Sequence, residues 1–204
     1  MSIQSAKPAR RRNAAATRLA ILGSARQAFA EAGYEGAGVR EIARRAGVTA
    51  MLVNRYFGSK EQLFAEVIAL AMTTPIILSA ENLASATPGK DFAAALVKIT
   101  ETAATPLDGF LIMLRSASSE RAAEIGREQI EKHYQKVLSN ALSGELAAQR
   151  AAIVLSLVAG LQVMRQMVGL AALSKAKPEA LIKILAPLFE QLIRGEAAGR
   201  HAVR

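Results

Sequence analysis

Between Arg40 and Lys60 the chain carries side chains suited to one kind of chemistry, the gripping of a polyanion. Arg40, Arg44, Arg45, Arg55 and Lys60 bring positive charge, and Thr49, Asn54 and Tyr56 bring neutral hydrogen-bonding groups. A guanidinium can bond guanine bidentately and a carboxamide can bond adenine, so Arg40 and Asn54 are the candidate base readers. Arg40 has a plainer alternative, a contact to phosphate alone. Ala50, Met51 and Leu52 have no hydrogen-bonding side chains and would suit thymine methyl groups.

Catalytic chemistry finds little to work with. There are two histidines, His133 and His201, and no cysteine, so neither a disulfide framework nor a thiolate metal site is available. No G-x-S-x-G, P-loop or H-E-x-x-H motif occurs. The glycines of Gly33–Gly38 follow a helical pattern rather than a strand, which argues against a nucleotide loop. The expectation is no enzyme, no catalytic residue, no metal and no cofactor.

The elements that must position the polar residues are two short helices joined by a tight turn. Val39, Ile42, Ala43 and Ala46 mark one apolar face. Gly47 suits the left-handed position that ends a helix, and Thr49 can cap the next one. That second helix, 50–57, buries Val53 and Phe57 and turns Ala50, Met51, Asn54 and Arg55 outward. A small residue at Ala43, a Gly four residues later and branched residues at Val48 and Val53 give the spacing of a helix-turn-helix.

Charge separates this segment from the rest. Residues 1–60 hold 11 Lys/Arg against 3 Asp/Glu, a net of +8, whereas 61–204 hold 15 against 14. A strongly basic head on a near-neutral body is the footprint of phosphate binding. A small-molecule carrier or an enzyme with an incidental basic segment is the alternative, and it offers no reason for that asymmetry.

The stretches Ile21–Tyr34, Val39–Val48 and Arg55–Leu63 (ILGSARQAFAEAGY, VREIARRAGV and RYFGSKEQL) together resemble the tetracycline-repressor (TetR) family of bacterial transcription regulators. The resemblance covers about residues 17–68. It implies a homodimeric cytoplasmic repressor, at the nucleoid when bound, that leaves a palindromic double-stranded DNA operator when a small-molecule effector enters its body. It also places Tyr56 and Lys60 at phosphates and Arg40 where base edges come within reach. Asn54 departs from the aromatic usual at its position, and Met51 and Leu52 replace smaller or hydroxylated residues, so another member's operator does not transfer.

The predicted architecture is all-α: a disordered basic arm at 1–16, a three-helix DNA-binding domain at 17–60, a helical ligand-binding and dimerisation domain at 61–195, and a loose tail at 196–204. The first helix is expected over 17–32, with Ala32 on its buried face and Gly33 ending it. Ser59 and Gln62 form a capping box for the fourth helix, and Pro75 marks its end or a kink. Further helices are expected over 91–105, 107–118, 119–142, 145–173 and from Pro178, with a kink at Pro187.

The stretch 145–173 is apolar nearly all round, which suggests burial on both sides. Arg165, Gln162 and Gln166 argue against a membrane span. Burying both this helix and the stripe of the last one calls for a dimer. An effector pocket walled by the helices at 59–74, 91–118, 119–142 and 145–173 would draw on Met72, Phe92, Leu96, Phe110, Met113, Tyr134 and Met164. Tyr134, Gln162 and Arg165 are its candidate polar anchors. Simple core packing, or for Gln162 and Arg165 the dimer interface, is the competing reading.

Overall fold

The computed structural model describes residues 7–72, 77–101 and 108–195, and every regular element among them is helical. The chain divides into two compact units. One comprises Met1–Met72 with Leu107–Gln129, the other Thr73–Pro106 with Ile130–Arg204. The break expected after residue 60 is therefore not where contacts separate. The fourth helix stays with the helix-turn-helix, and a later pair of helices returns to join it.

In the first unit, α1 (Lys7–Gly36) begins ten residues before its predicted start. Residues 7–16, expected to be a disordered arm, are helical; Met1–Ala6 lie outside the described residues. The reason is local: Arg10–Arg12 and Ala14–Ala16 are strong helix formers that extend an already nucleated helix at little cost. Ile21, Leu22, Ala25, Ala28 and Phe29 form its buried face, whereas Ala32 is exposed. Gly33 breaks the helix at φ 68°.

Around that face pack α2 (Val39–Arg45), α3 (Ala50–Phe57) and α4 (Lys60–Ala71). Phe29, Tyr34 and Phe64 make the aromatic centre. The Phe29–Phe64 and Tyr34–Phe64 ring centroids each lie 5.0 Å apart in edge-to-face contact, the arrangement favoured by ring quadrupoles. Pro75, read as a helix end or kink, and Pro106, between the helices predicted over 91–105 and 107–118, lie outside the described residues.

Two more helices complete this unit, α7 (Asp108–Ser116) against α1 and α4, and then α8 (Glu120–Ile130). The turn between them pins the head. Ser116 Oγ accepts from Tyr34 N at 2.9 Å, Arg115 bonds Ala30 O, and Ser119 Oγ bonds Glu35 Oε1 at 2.6 Å. A Cβ on Gly33 would stand 2.5 Å from Arg115 O. Glycine is thus required at that position twice, by its backbone angle and by close approach.

The second unit is built from α5 (Ala80–Leu83), α6 (Pro88–Ile99), α9 (Lys136–Ala141), α10 (Ala147–Gln162), α11 (Ala171–Ser174) and α12 (Pro178–Arg194). Two π-helical turns, Glu131–Gln135 and Val163–Met167, lead into α9 and continue α10. α6 and α12 pack along their lengths, with Phe92 and Phe189 at 6.1 Å. Pro187 sits inside an unbroken α12.

The helix predicted over 145–173 ends at Met167. Gly169, at φ 69°, turns the chain before α11. Ala147–Met167 is by length and composition apolar enough to cross a membrane, yet only 11% of its apolar 18-residue window is buried. The expected burial on both sides is not met within one chain. Ile153, Met164 and Met167 form an exposed stripe at helical spacing, and Ile184 and Leu188 do the same on α12.

Two buried arginines close helix C-termini in this unit. Arg150 donates from Nη1 to Leu192 O at 3.0 Å and Ile193 O at 3.3 Å, and from Nε to Glu145 O at 3.0 Å. Arg165 donates from Nη1 to Val97 O and Thr100 Oγ1, both at 2.7 Å, and from Nε to Leu173 O at 3.2 Å. The last carbonyls of a helix lack internal partners and sit at its negative end, so a cation there satisfies both needs.

Candidate nucleic-acid interface

The turn between α2 and α3 follows from four residues. Ala46 caps α2, and Gly47 takes φ 69°. Val48 N then bonds Ala43 O at 2.9 Å and Gly47 N bonds Arg44 O at 3.2 Å. These are the paired bonds of a Schellman motif, which any residue bearing a Cβ at Gly47 would strain. Thr49 Oγ1 accepts from Leu52 N at 3.3 Å and starts α3. Val53 and Phe57 anchor α3 inward.

What remains outward on α3 is a narrow polar and apolar stripe. Met51 is 80% exposed, and Asn54 and Arg55 are exposed beside it. Thr49 is exposed at the helix start, and Ala50, Leu52 and Tyr56 are half-buried at the edges. Arg40 is exposed on α2. The structure thus brings the whole predicted set onto the short segment 40–60, with Met51, Asn54 and Arg55 most open to a partner.

Lys60 is held differently. Ser59 Oγ caps α4 by accepting from Gln62 N at 3.1 Å, half of the predicted capping box; Ser59 N turns instead to Phe57 O at 3.0 Å. From the first turn of α4 the Lys60 ammonium reaches back over the Tyr34 ring, 4.5 Å from its centre, and donates to Glu35 O at 3.4 Å. Burial, followed by the charges of Glu61 and Glu35, raises the Tyr34 phenol above its ordinary pKa, so the ring remains neutral.

Two of the three arginines of α2, Arg44 and Arg45, are also engaged. Glu41 accepts from Arg44 Nε and Nη2, both at 2.8 Å, and from Arg45 Nε at 2.8 Å. Arg45 Nη1 bonds Glu31 at 2.7 Å. The bonds from Arg44 and then Arg45 hold the Glu41 carboxyl down at about 2.

The residues nominated for an effector pocket fall in both units. Met72 and Met113 belong to the first unit, and Phe92, Leu96, Tyr134, Gln162, Met164 and Arg165 to the second; the Phe110 side chain lies outside the described residues. Phe92 and Leu96 are fully buried within an apolar cluster against which Tyr134 packs. Burial raises the Tyr134 phenol pKa. Met164 is 46% exposed, on the open stripe of the second unit.

Arg165, nominated as a ligand anchor, bonds the end of α6 and Leu173 O. Sequence reasoning missed Arg150 and the closing role of Arg165, because a cation in an apolar run does not announce which carbonyls it meets. A cleft of about 570 Å³ in the first unit, lined in part by Glu35, Ser119, Arg121 and Glu124, contains none of the nominated residues.

Comparison with known proteins agrees with this geometry. Residues 21–67 match the family described as bacterial regulatory proteins, tetR family, and residues 86–193 match the tetracyclin repressor-like C-terminal domain. The chain belongs to the TetR family of transcriptional regulators, whose members are regulatory DNA-binding proteins. No curated protein matches it.

Among solved structures it is similar to a TetR-family regulator of Streptomyces coelicolor (23% identity, 93% of this chain and 99% of that one, TM-score 0.56). It is also similar to NalD, the secondary repressor of the MexAB-OprM multidrug efflux pump in Pseudomonas aeruginosa (21%, 88% and 98%, TM-score 0.61). FadR of Bacillus subtilis, solved with stearoyl-CoA, is a third (19%, 87% and 98%, TM-score 0.60). At these identities the likeness is one of fold.

Proposed function

We propose that this chain is a cytoplasmic repressor that binds a palindromic duplex as a homodimer and leaves it when a small molecule enters its helical body. The observation that carries the DNA-binding reading is the capped helix α3, which presents Met51, Asn54 and Arg55 on one open face while Val53 and Phe57 lock it to the core. A short helix fixed in this way can enter a major groove.

In this reading Asn54 and Arg40 read base edges, and Ala50, Met51 and Leu52 meet thymine methyls. Thr49, Arg55, Tyr56 and Lys60 hold phosphates and set the register. Two such helices on a two-fold dimer would meet half-sites about 34–36 Å apart, or farther for a wider site.

The dimer is supported by the apolar stripes left open on α12 and on α10 with the turn that continues it, which suit a second copy of the same surface. Release by an effector has the precedent of a ligand held by FadR within a similar fold. Tyr134 and Gln162 are the nominated polar groups that form no hydrogen bond among the described residues, and they are proposed as its anchors.

The test is selection of bound duplexes from a random pool, then a salt series on the winner and a screen for compounds that release it. A palindromic consensus whose affinity falls steeply with salt is expected. Failure to select any sequence would refute the reading.

A further inference from the structure

We propose that Glu41 is a specificity-determining residue: it holds Arg44 and Arg45 away from the DNA backbone, so that affinity for arbitrary duplex stays low and recognition falls to α3. The inference rests on the DNA-binding reading above.

The local pattern is E-x-x-R-R at the start of α2, which places both arginines three and four residues after one carboxylate, on its side of the helix. The structure shows the consequence. Arg44 grips Glu41 with two parallel bonds at 2.8 Å, and Arg45 adds a third from Nε. A second carboxylate, Glu31, takes Arg45 Nη1 at 2.7 Å. The two cations are thereby matched by two anions.

The geometry makes this a competition. The Arg44 fork that holds Glu41 presents the same pair of N–H groups with which a guanidinium grips phosphate. Arg44 cannot hold both partners in that manner at once. Arg40 and Arg55, farther along the chain on either side of the turn, form no ion pair among the described residues and are exposed. The helix-turn-helix therefore carries two arginines open to DNA and two already occupied.

Each extra phosphate contact raises affinity for every sequence alike, through release of counterions, and steepens the salt dependence by about 0.9 in log–log slope. Four open arginines would favour any duplex. Occupying two removes that indiscriminate gain and leaves the base-facing residues of α3 to decide.

The experiment measures binding to a random-sequence duplex and to the selected operator across a salt series. It compares the full-length protein with Glu41→Gln, the double variant Arg44→Ala/Arg45→Ala, and the triple variant. Glu41→Gln is expected to raise random-duplex affinity roughly three- to ten-fold at low salt and to steepen the slope by about 1–2. Operator affinity should rise less, so discrimination falls. The gain should vanish in the triple variant relative to the double.

Two results would overturn the proposal. One is a double variant that weakens random-duplex binding as much with Glu41 present as with Gln there, meaning the arginines grip phosphate regardless. The other is a gain that persists in the triple variant, meaning that only one negative charge was lost. Circular dichroism of each variant separates these from unfolding. A full-length protein that binds neither duplex refutes the regulator reading itself, an outcome distinct from both.

Discussion

The ammonium of Lys60 lies 4.5 Å from the centre of the Tyr34 ring and bonds Glu35 O at 3.4 Å. The fourth helix and the last turn of α1, past the break at Gly33, are thereby joined by the same side chain that is proposed to meet a phosphate. A cation held over an aromatic ring is prepositioned by the contact.

Lys60→Ala should therefore weaken binding to every duplex in parallel, since phosphates carry no sequence. It should also lower unfolding stability by about 0.5–1 kcal/mol, the range for an exposed cation–π pair. Asn54→Ala should behave oppositely, costing about 1–3 kcal/mol at one base pair and little elsewhere. Competition binding with single-base operator variants, paired with thermal melts, separates the two. A changed base preference in Lys60→Ala would refute the phosphate assignment.

Replacing Ile184 or Leu188 by Glu should break the dimer while leaving helix content intact, because both side chains are exposed on α12. Sedimentation velocity should show a monomer, and operator affinity should collapse with it. A dimer that survives both substitutions would place the interface elsewhere.

Arg165→Ala should cost about 1.5–3 kcal/mol, the range for hydrogen bonds to a charged group, since Val97 O and Thr100 Oγ1 both accept from it, although Thr100 Oγ1 also donates to Val97 O at 3.1 Å. Arg165→Lys should not restore the loss, because an ammonium lacks the planar fork that reaches several acceptors at once. Denaturant unfolding measures both. A fully stable Arg165→Ala would return this residue to the ligand.

The Glu41 carboxyl, held at about 2 against an ordinary 4.5 by its bonds to Arg44 and then Arg45, predicts a pH response. A depressed folded-state pKa contributes stability above the unfolded value, and that contribution is lost as pH falls from about 4.5 through about 2. The pairing should thus be indifferent to pH between 5 and 8. Carbon-detected NMR titration of the carboxyl should find it low in the parent and near its ordinary value in Arg44→Ala/Arg45→Ala.

Much of the head was legible in the sequence because its determinants are local. Gly47 alone can take the left-handed turn without strain, Thr49 and Ser59 cap the helices that follow them, and Val53 and Phe57 are spaced to face inward. These choices decide which face of α3 is left open, and so which residues are candidates to read DNA. The charge asymmetry required no structure at all.

What the tertiary structure decided concerns partners distant in sequence. Nothing near Lys60 indicates that it will lie over Tyr34, and nothing near Arg165 indicates that it will meet Val97 and Thr100 at the end of α6. The return of α7 and α8 to the first unit likewise rests on contacts such as Ser116 with Tyr34, more than eighty residues apart. Helical periodicity tells which side of a helix is apolar. It carries no information about which helix will cover that side, because any apolar surface of suitable shape serves, and that choice is made only when the whole chain packs.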